Sequence, residues 1–431
     1  MTKRQVPRWL AVPLLALVAL RVGRIVIAAM TYTHGDYYAS LPGAYVRTVN
    51  PVLWDSPDIR GSWGYHVDTY FHGPTQYLVL YPMAWFDTYA EMAQALLLPY
   101  AIVIGVILWL LRDTFNRLAP HVAHTIPLVA STLLFFPLLQ AYLQREFEVV
   151  ALLGLTFAMW LLVRDQRSWA AAILAWVAWF KYIPLLFGLW VVGRGWVKAA
   201  VAFGLSSLVI LAASHALFDL RLFFNNNVPN HAAQVLRVLS YEYELDAANE
   251  LVGFGFCNGW FDSETTLTDI RHAMCSLGAR RPWFPPNLSY LLVCALTAGF
   301  YLTAHRRFER EAQVSAVREG WRRSLEVAII TTICACYFFS HYYYLSILAL
   351  PFAVLLARYL AVGYRLRLAA WAVAYVLVSA FFVPTSLLTR VFEVDVWALF
   401  IRGAWFMWGE LILMALLLRE YWDVSREANA P

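Results

Sequence analysis

Long apolar runs alternate with short basic segments along this chain. Runs of about 20 residues are long enough to cross a bilayer as helices, and they recur from residue 9 almost to the C-terminus. The pattern predicts crossings near 9–30, 91–111, 122–141, 147–163, 197–218, 287–304, 369–388 and 397–418, with two more turning around Ser340-His341-Tyr342. The opening run continues past Arg21 and Arg24 to Met30 without a small-residue cleavage site, so it reads as a retained first span. Arg21 and Arg24 share a helix face and point to a cavity, a phosphate or an acid on another helix. One stretch, 169–193, is ambiguous: it makes either one span or two half-length helices meeting near Lys181. Arg164 and Arg167 precede it and Arg194 and Lys198 follow it, and the positive-inside rule then favours the hairpin. A polar hairpin tip at membrane depth is tolerated only where it lines a cavity. The chain is therefore read as an all-α polytopic integral membrane protein of about 12 transmembrane helices.

The same rule orients it. Basic clusters at 112–117, 164–167, 194–198, 305–323 and 358–367 go to the cytoplasm. Two large polar loops, 32–82 and 219–286, then fall on the extracytoplasmic side together with 144–148 and His341. This divides the chain into a membrane module 1–218 that includes loop 32–82, an extracytoplasmic loop 219–286, and C-terminal transmembrane helices 287–431. Composition agrees. At 61% hydrophobic and 14% charged residues, the chain lies outside the range of soluble domains. Its net charge of +5 is accounted for by the cytoplasmic loops, so no nucleic-acid partner is expected. No internal repeat is visible, and only the first half carries a loop of the size of 32–82, which weighs against a transporter built from two similar halves.

Loop 32–82 is too long to be a plain connector and too aromatic to be disordered. Asp36 follows the first span directly, where partial desolvation makes a carboxylate a better base. The same residue also suits a helix cap. Asp55 and Asp58 sit in a turn-like Asp-Ser-Pro-Asp. Tyr38, Asp68 and His72 are substrate-binding candidates in the same loop. Lys181 lies within a strongly apolar stretch, where an ionisable residue marks a functional site. It suits either a phosphate at the interface or snorkelling to headgroups. Arg145, Glu146 and Glu148 form a charged turn that is either interfacial or part of a site. His341 ends an apolar run and suits a phosphate or an aromatic belt. In the second loop His231 and Tyr241 are further substrate-binding candidates. Cys257 and Cys275 share that loop and pair if it faces an oxidising compartment, or stay free. No metal-ligand spacing is present, so no metal site and no cofactor are expected.

These residues resemble the C-type glycosyltransferase superfamily. The carriers are a first span followed by Asp36-Tyr37-Tyr38, then Tyr70-Phe71-His72-Gly73-Pro74 and Tyr81-Pro82. Lys181-Tyr182-Ile183-Pro184 and His341-Tyr342 are similar to glycosyltransferase family 87, which includes mannosyltransferases that use polyprenyl-phosphate-mannose. Two motifs depart from that pattern: Gly73-Pro74 stands where Pro-Pro is common, and Leu143-Gln144-Arg145-Glu146 where Gly-Gln-x-Asn is common. The resemblance implies transfer of one sugar from a polyprenyl-phosphate donor to an acceptor hydroxyl on a glycolipid or glycan, with inversion. Asp36 is then the general base, and Lys181, His341 and Arg145 hold the donor phosphate. The expected partners are that donor, that acceptor and membrane lipids. A flippase of lipid-linked sugars and a whole-glycan ligase are the rival expectations.

Overall fold

The computed structural model describes residues 8–31, 74–80, 94–144, 146–180, 186–217, 243–245, 251–254, 270–280, 283, 285–309, 315–337, 342–379 and 404–426. In chain order the helices are α1 (Arg8–Thr31), α2 (Pro74–Leu80), α3 (Leu97–Leu118), α4 (Thr125–Leu133), α5 (Phe136–Gln144), α6 (Glu148–Val163), α7 (Arg167–Ala178), α8 (Leu186–Gly193) and α9 (Val197–Leu217). The strands β1 (Tyr243–Leu245) and β2 (Leu251–Phe254) follow, then α10 (Ile270–Arg280), α11 (Pro286–Glu309), α12 (Ala316–Cys336), α13 (Ala349–Val362), α14 (Arg365–Ser379) and α15 (Trp405–Arg426). The turn Tyr342–Leu348 just before α13 is a 3-10 helix.

Among the described residues, five helices are long and apolar enough to cross a membrane, or six if one bent pair is counted as a span. The predicted crossing at 122–141 is that pair, α4 and α5, bent by 59°. Pro137, the second residue of α5, explains the bend: it lacks the N–H that would continue α4. The predicted crossing at 147–163 is α6, 16 residues long, or about 24 Å at the α-helical rise. The stretch 169–193 is not one span. It forms α7 of 12 residues and α8 of 8 residues, each about half the depth of a bilayer. The all-α expectation holds for the described helices, with one short ribbon in the second loop. β1 and β2 pair antiparallel there, Tyr243 opposite Phe254, with a bulge between Glu244 and Leu245; β-prone apolar residues outside a long run have a ribbon open to them.

One end of the bundle is held by ion pairs, some buried and some partly exposed. Asp113 of α3 accepts from the Trp160 indole at 2.8 Å and pairs with Arg164. Arg323 of α12 reaches Asp165 at 2.8 Å, and Arg194 reaches Glu319 at 2.8 Å. Glu326, fully buried, accepts from Tyr421 at 2.6 Å and Trp190 at 3.0 Å, with Arg322 Nε at 3.3 Å. Glu420 of α15 pairs with Arg358 and Arg367, and Arg318 donates to the last carbonyls of α15, those of Val424 and Ser425, at 2.8 Å. Each of the five basic clusters expected to share one side of the membrane thus contributes a residue to the ion pairs at this end, the first through Asp113. Two local signals set its geometry. Ser315 caps α12 by accepting from the Arg318 N–H, and Gly363 ends α13 in the left-handed region at φ 83°.

Outward, Leu20 and Ile27 of α1, Leu98 and Ile102 of α3, Leu205 and Leu208 of α9, and Leu296 and Phe300 of α11 are exposed. Apolar side chains so disposed belong against lipid. Inward, one apolar cluster runs from Ala29 of α1 to Val424 of α15, so α1 and α3–α15 share a core.

Candidate active site

Helix direction places the other end. α6 runs from Glu148 away to Arg164 in the network, so the 144–148 turn lies at the opposite end. α7 leaves the network at Arg167 and α8 returns to it at Arg194, so their tip points the same way. Both guanidinium groups lie over the Trp196 ring, at 5.0 Å and 4.9 Å, with Arg323 at 5.4 Å. The hairpin expected from charge flanking is therefore the structure adopted.

Three segments distant in sequence meet at the tip. Thr75, in the first turn of α2, donates its backbone N–H to the Trp179 carbonyl at 3.1 Å. Ser214, near the end of α9 and fully buried, donates its hydroxyl to the Pro74 carbonyl at 3.2 Å. Phe180, the next residue after Trp179, packs its ring 6.4 Å from Phe147 in the turn before α6. The end of the first large loop, the hairpin tip and the charged turn thus form one junction.

The turn is not a solvated surface loop. Glu146 and Glu148 are only 7% and 5% exposed. Glu146 is held by its backbone N–H, which donates to Ala141 at 2.8 Å. Two carboxylates buried this deeply need partners or a ligand. The Tyr142 hydroxyl, one turn earlier, donates to the Leu97 carbonyl at 3.4 Å and ties the start of α3 to the same end.

α1 delivers the first loop here as well. Val18 packs against Ala130 and Leu134, and Arg21 lies 5.8 Å over the Phe136 ring. α1 therefore climbs along α4 and then α5 toward the end where α5 stops. Arg21 is partly buried while Arg24 is exposed, so the two do not share an environment.

Of the residues expected to act, Glu146 is placed at the junction. Asp36, Tyr38, Asp68 and His72 lie outside the described residues. So do Arg145, Lys181, His231, Tyr241 and His341, although Arg145 adjoins Glu146 and Lys181 adjoins Phe180 in the chain. Cys275, 2% exposed, is disulfide-bonded; Cys257, its expected partner, lies outside the described residues. Cys294, Cys334 and Cys336 are not disulfide-bonded. Among the described residues no His, Cys, Asp and Glu cluster has the geometry of a metal site.

Some polar groups at this end went unforeseen. Thr75, Trp179 and Ser214 carry no motif, and only the fold brings them together. Glu410 of α15 is fully buried. Its signal was legible as an acid inside the apolar run Trp405-Phe406-Met407-Trp408-Gly409-Glu410-Leu411.

Comparison with known proteins addresses the same segment. Residues 70–251 match the family model of glycosyltransferase family 87. Nothing matches the chain among curated proteins or among solved structures. The match spans α2, the 144–148 turn, the α7–α8 hairpin and Ser214, the whole of the junction. Residues 70–251 are thus similar to glycosyltransferase family 87, a family of C-type membrane glycosyltransferases.

Proposed function

We propose that the protein transfers a single sugar, such as mannose or another hexose or pentose, from a polyprenyl-phosphate donor to an acceptor hydroxyl on a glycolipid or polysaccharide. The acceptor oxygen bonds to the anomeric carbon, the bond from that carbon to the phosphate oxygen breaks, and configuration inverts. Asp36 takes the acceptor proton. Lys181, His341 and Arg145 hold the lipid phosphate on which negative charge accumulates. No nucleotide or other cofactor takes part in this scheme.

The observation that carries the reading is the junction of Thr75, Trp179–Phe180 and Glu146–Glu148 at the end away from the ion-pair network. It joins the loop that holds Asp36 to the hairpin that holds Lys181. Two independent arguments support an extracytoplasmic site in the cell membrane. The basic network belongs in the cytoplasm by the positive-inside rule. The bonded Cys275 lies near the opposite end, just before α11 runs down to His305 in the network, and disulfides persist in oxidising compartments.

The test is incubation of purified protein with a panel of polyprenyl-phospho-sugars and glycolipid acceptors. Release of polyprenyl phosphate with formation of a new glycosidic bond is expected. Movement of labelled donor between leaflets without bond formation would overturn the reading in favour of a flippase.

A further inference from the structure

The junction holds two side-chain hydrogen-bond donors that no described residue accepts from. The Thr75 hydroxyl and the Trp179 indole N–H are both buried and have no hydrogen-bond partner among the described residues. The backbones of the two residues are in contact, since the Thr75 backbone N–H donates to the Trp179 carbonyl at 3.1 Å. Thr75 is 1% exposed. The backbone around them is satisfied: the Pro74 carbonyl accepts from Ser214, and the Trp179 N–H donates to Ala175 at 3.0 Å. Only the side-chain donors are left over. A buried polar group without a partner loses its hydration for nothing in return, and such groups are rare in folded proteins.

We propose that Thr75 Oγ1 and Trp179 Nε1 form a subsite that donates two hydrogen bonds to the phosphate ester of a lipid-linked donor. The inference rests on the donor class proposed above. The chemistry selects the ligand. An indole N–H only donates, so its partner must accept. A phosphate oxygen accepts two donors and brings no hydrogen needing a further acceptor. The backbone carbonyls of Pro74 and Trp179 are already engaged. Trp179 stands two residues before Lys181 in the chain, the residue assigned to the donor phosphate in the proposed function. The carboxylates Glu146 and Glu148, on the Phe147 side of the junction, suit sugar hydroxyls instead. These two residues position and hold the phosphate; they carry no proton in the reaction.

The experiment titrates full-length protein in lipid nanodiscs with polyprenyl phosphate, with polyprenol and with inorganic phosphate, alongside thermal unfolding of the unliganded protein. Wild-type protein is expected to bind polyprenyl phosphate, and polyprenol much more weakly. Thr75→Val and Trp179→Phe should each weaken polyprenyl-phosphate binding about tenfold or more, with Tm unchanged or raised, because an unpaired donor has been removed. Thr75→Ser, which keeps the hydroxyl, should restore affinity. Undiminished affinity in Thr75→Val overturns the subsite and leaves the proposed function standing. A lower Tm with unchanged affinity overturns it too, assigning the pair to a buried water. Failure of wild-type protein to bind polyprenyl phosphate overturns the donor class, and the subsite with it. Binding of inorganic phosphate as tight as that of polyprenyl phosphate assigns the site to free phosphate and overturns the lipid-linked ligand. If Trp179→Phe does not fold, the Val and Ser variants of Thr75 decide alone.

Discussion

Arg167 opens α7 and Arg194 follows the end of α8, yet both guanidinium groups lie over the indole of Trp196, at 5.0 Å and 4.9 Å. The two feet of the hairpin are thus clamped on one ring, with Arg323 of α12 at 5.4 Å as a third contact. Cation–π contacts contribute about 0.5–1 kcal/mol each, more where desolvated. Trp196 also meets Trp190 edge-on at 5.3 Å. Trp196→Ala should therefore cost about 2–4 kcal/mol and, by loosening the feet, raise the donor KM through the tip. Trp196→Phe should retain most of both. Thermal unfolding in detergent checks the first, and an alanine variant as stable as wild type would remove the clamp from the argument.

Asp165 gives the network a pH signature. It sits between α6 and α7 in the left-handed region, at φ 61°, which Asp and Asn tolerate better than most residues. Partial burial works to raise its carboxyl, but hydrogen bonds from Arg323 and Arg167 outweigh it and hold the group below the usual aspartate range. A depressed carboxylate stabilises the fold above its unfolded pKa, and that contribution is lost as pH falls through the folded value. Asp165→Asn keeps the backbone preference and deletes the charge. Because the side chain is largely exposed, the cost at neutral pH should be at most about 1 kcal/mol. The gap between variant and wild type should close in melts taken below about pH 3.

Glu326 is the part of the network that tolerates least. It is fully buried, with Tyr421, Trp190 and Arg322 in hydrogen-bond contact and Arg194 at 3.6 Å. Removing one member of a buried charge cluster strands the others, at about 3–5 kcal/mol. Here Glu319 also engages Arg194 and Arg322, so Glu326→Ala should fall near the lower figure. Glu326→Gln should cost less, since the amide still accepts from Tyr421. Unfolding midpoints of the two variants in one detergent rank them; equal midpoints would mean that charge, rather than hydrogen bonding, sets the cost.

The hairpin was legible because its signal is electrostatic and local: basic residues at both ends of 169–193 fixed where those ends must lie. The bend between α4 and α5 was written as Pro137 inside an apolar run, but apolarity alone reads 122–141 as one straight span. Chain length likewise disguised α6, whose apolar run of crossing length closes after 16 residues. The burial of Glu146 and Glu148 was not legible, since a charged turn between helices reads as surface until other segments cover it. Thr75 and Trp179 were beyond reach for the same reason. Their significance lies in a missing partner, and only tertiary contacts reveal an absence.

The proposed chemistry makes its sharpest claim at Asp36 and Lys181. A base that takes the acceptor proton acts on the transition state and contributes little to holding the donor. Asp36→Asn keeps the size and removes the base, so turnover should fall by at least about 100-fold with polyprenyl-phosphate affinity near that of wild type. A cation on the departing phosphate acts on donor and transition state together. Lys181→Ala should therefore weaken polyprenyl-phosphate binding and lower kcat/KM, while Lys181→Arg recovers part of the binding because the charge persists on a different geometry. Product-release assays and direct titration of both variants separate the roles. Full turnover in Asp36→Asn would move the base to another carboxylate, with the buried Glu146 and Glu148 next to be tested.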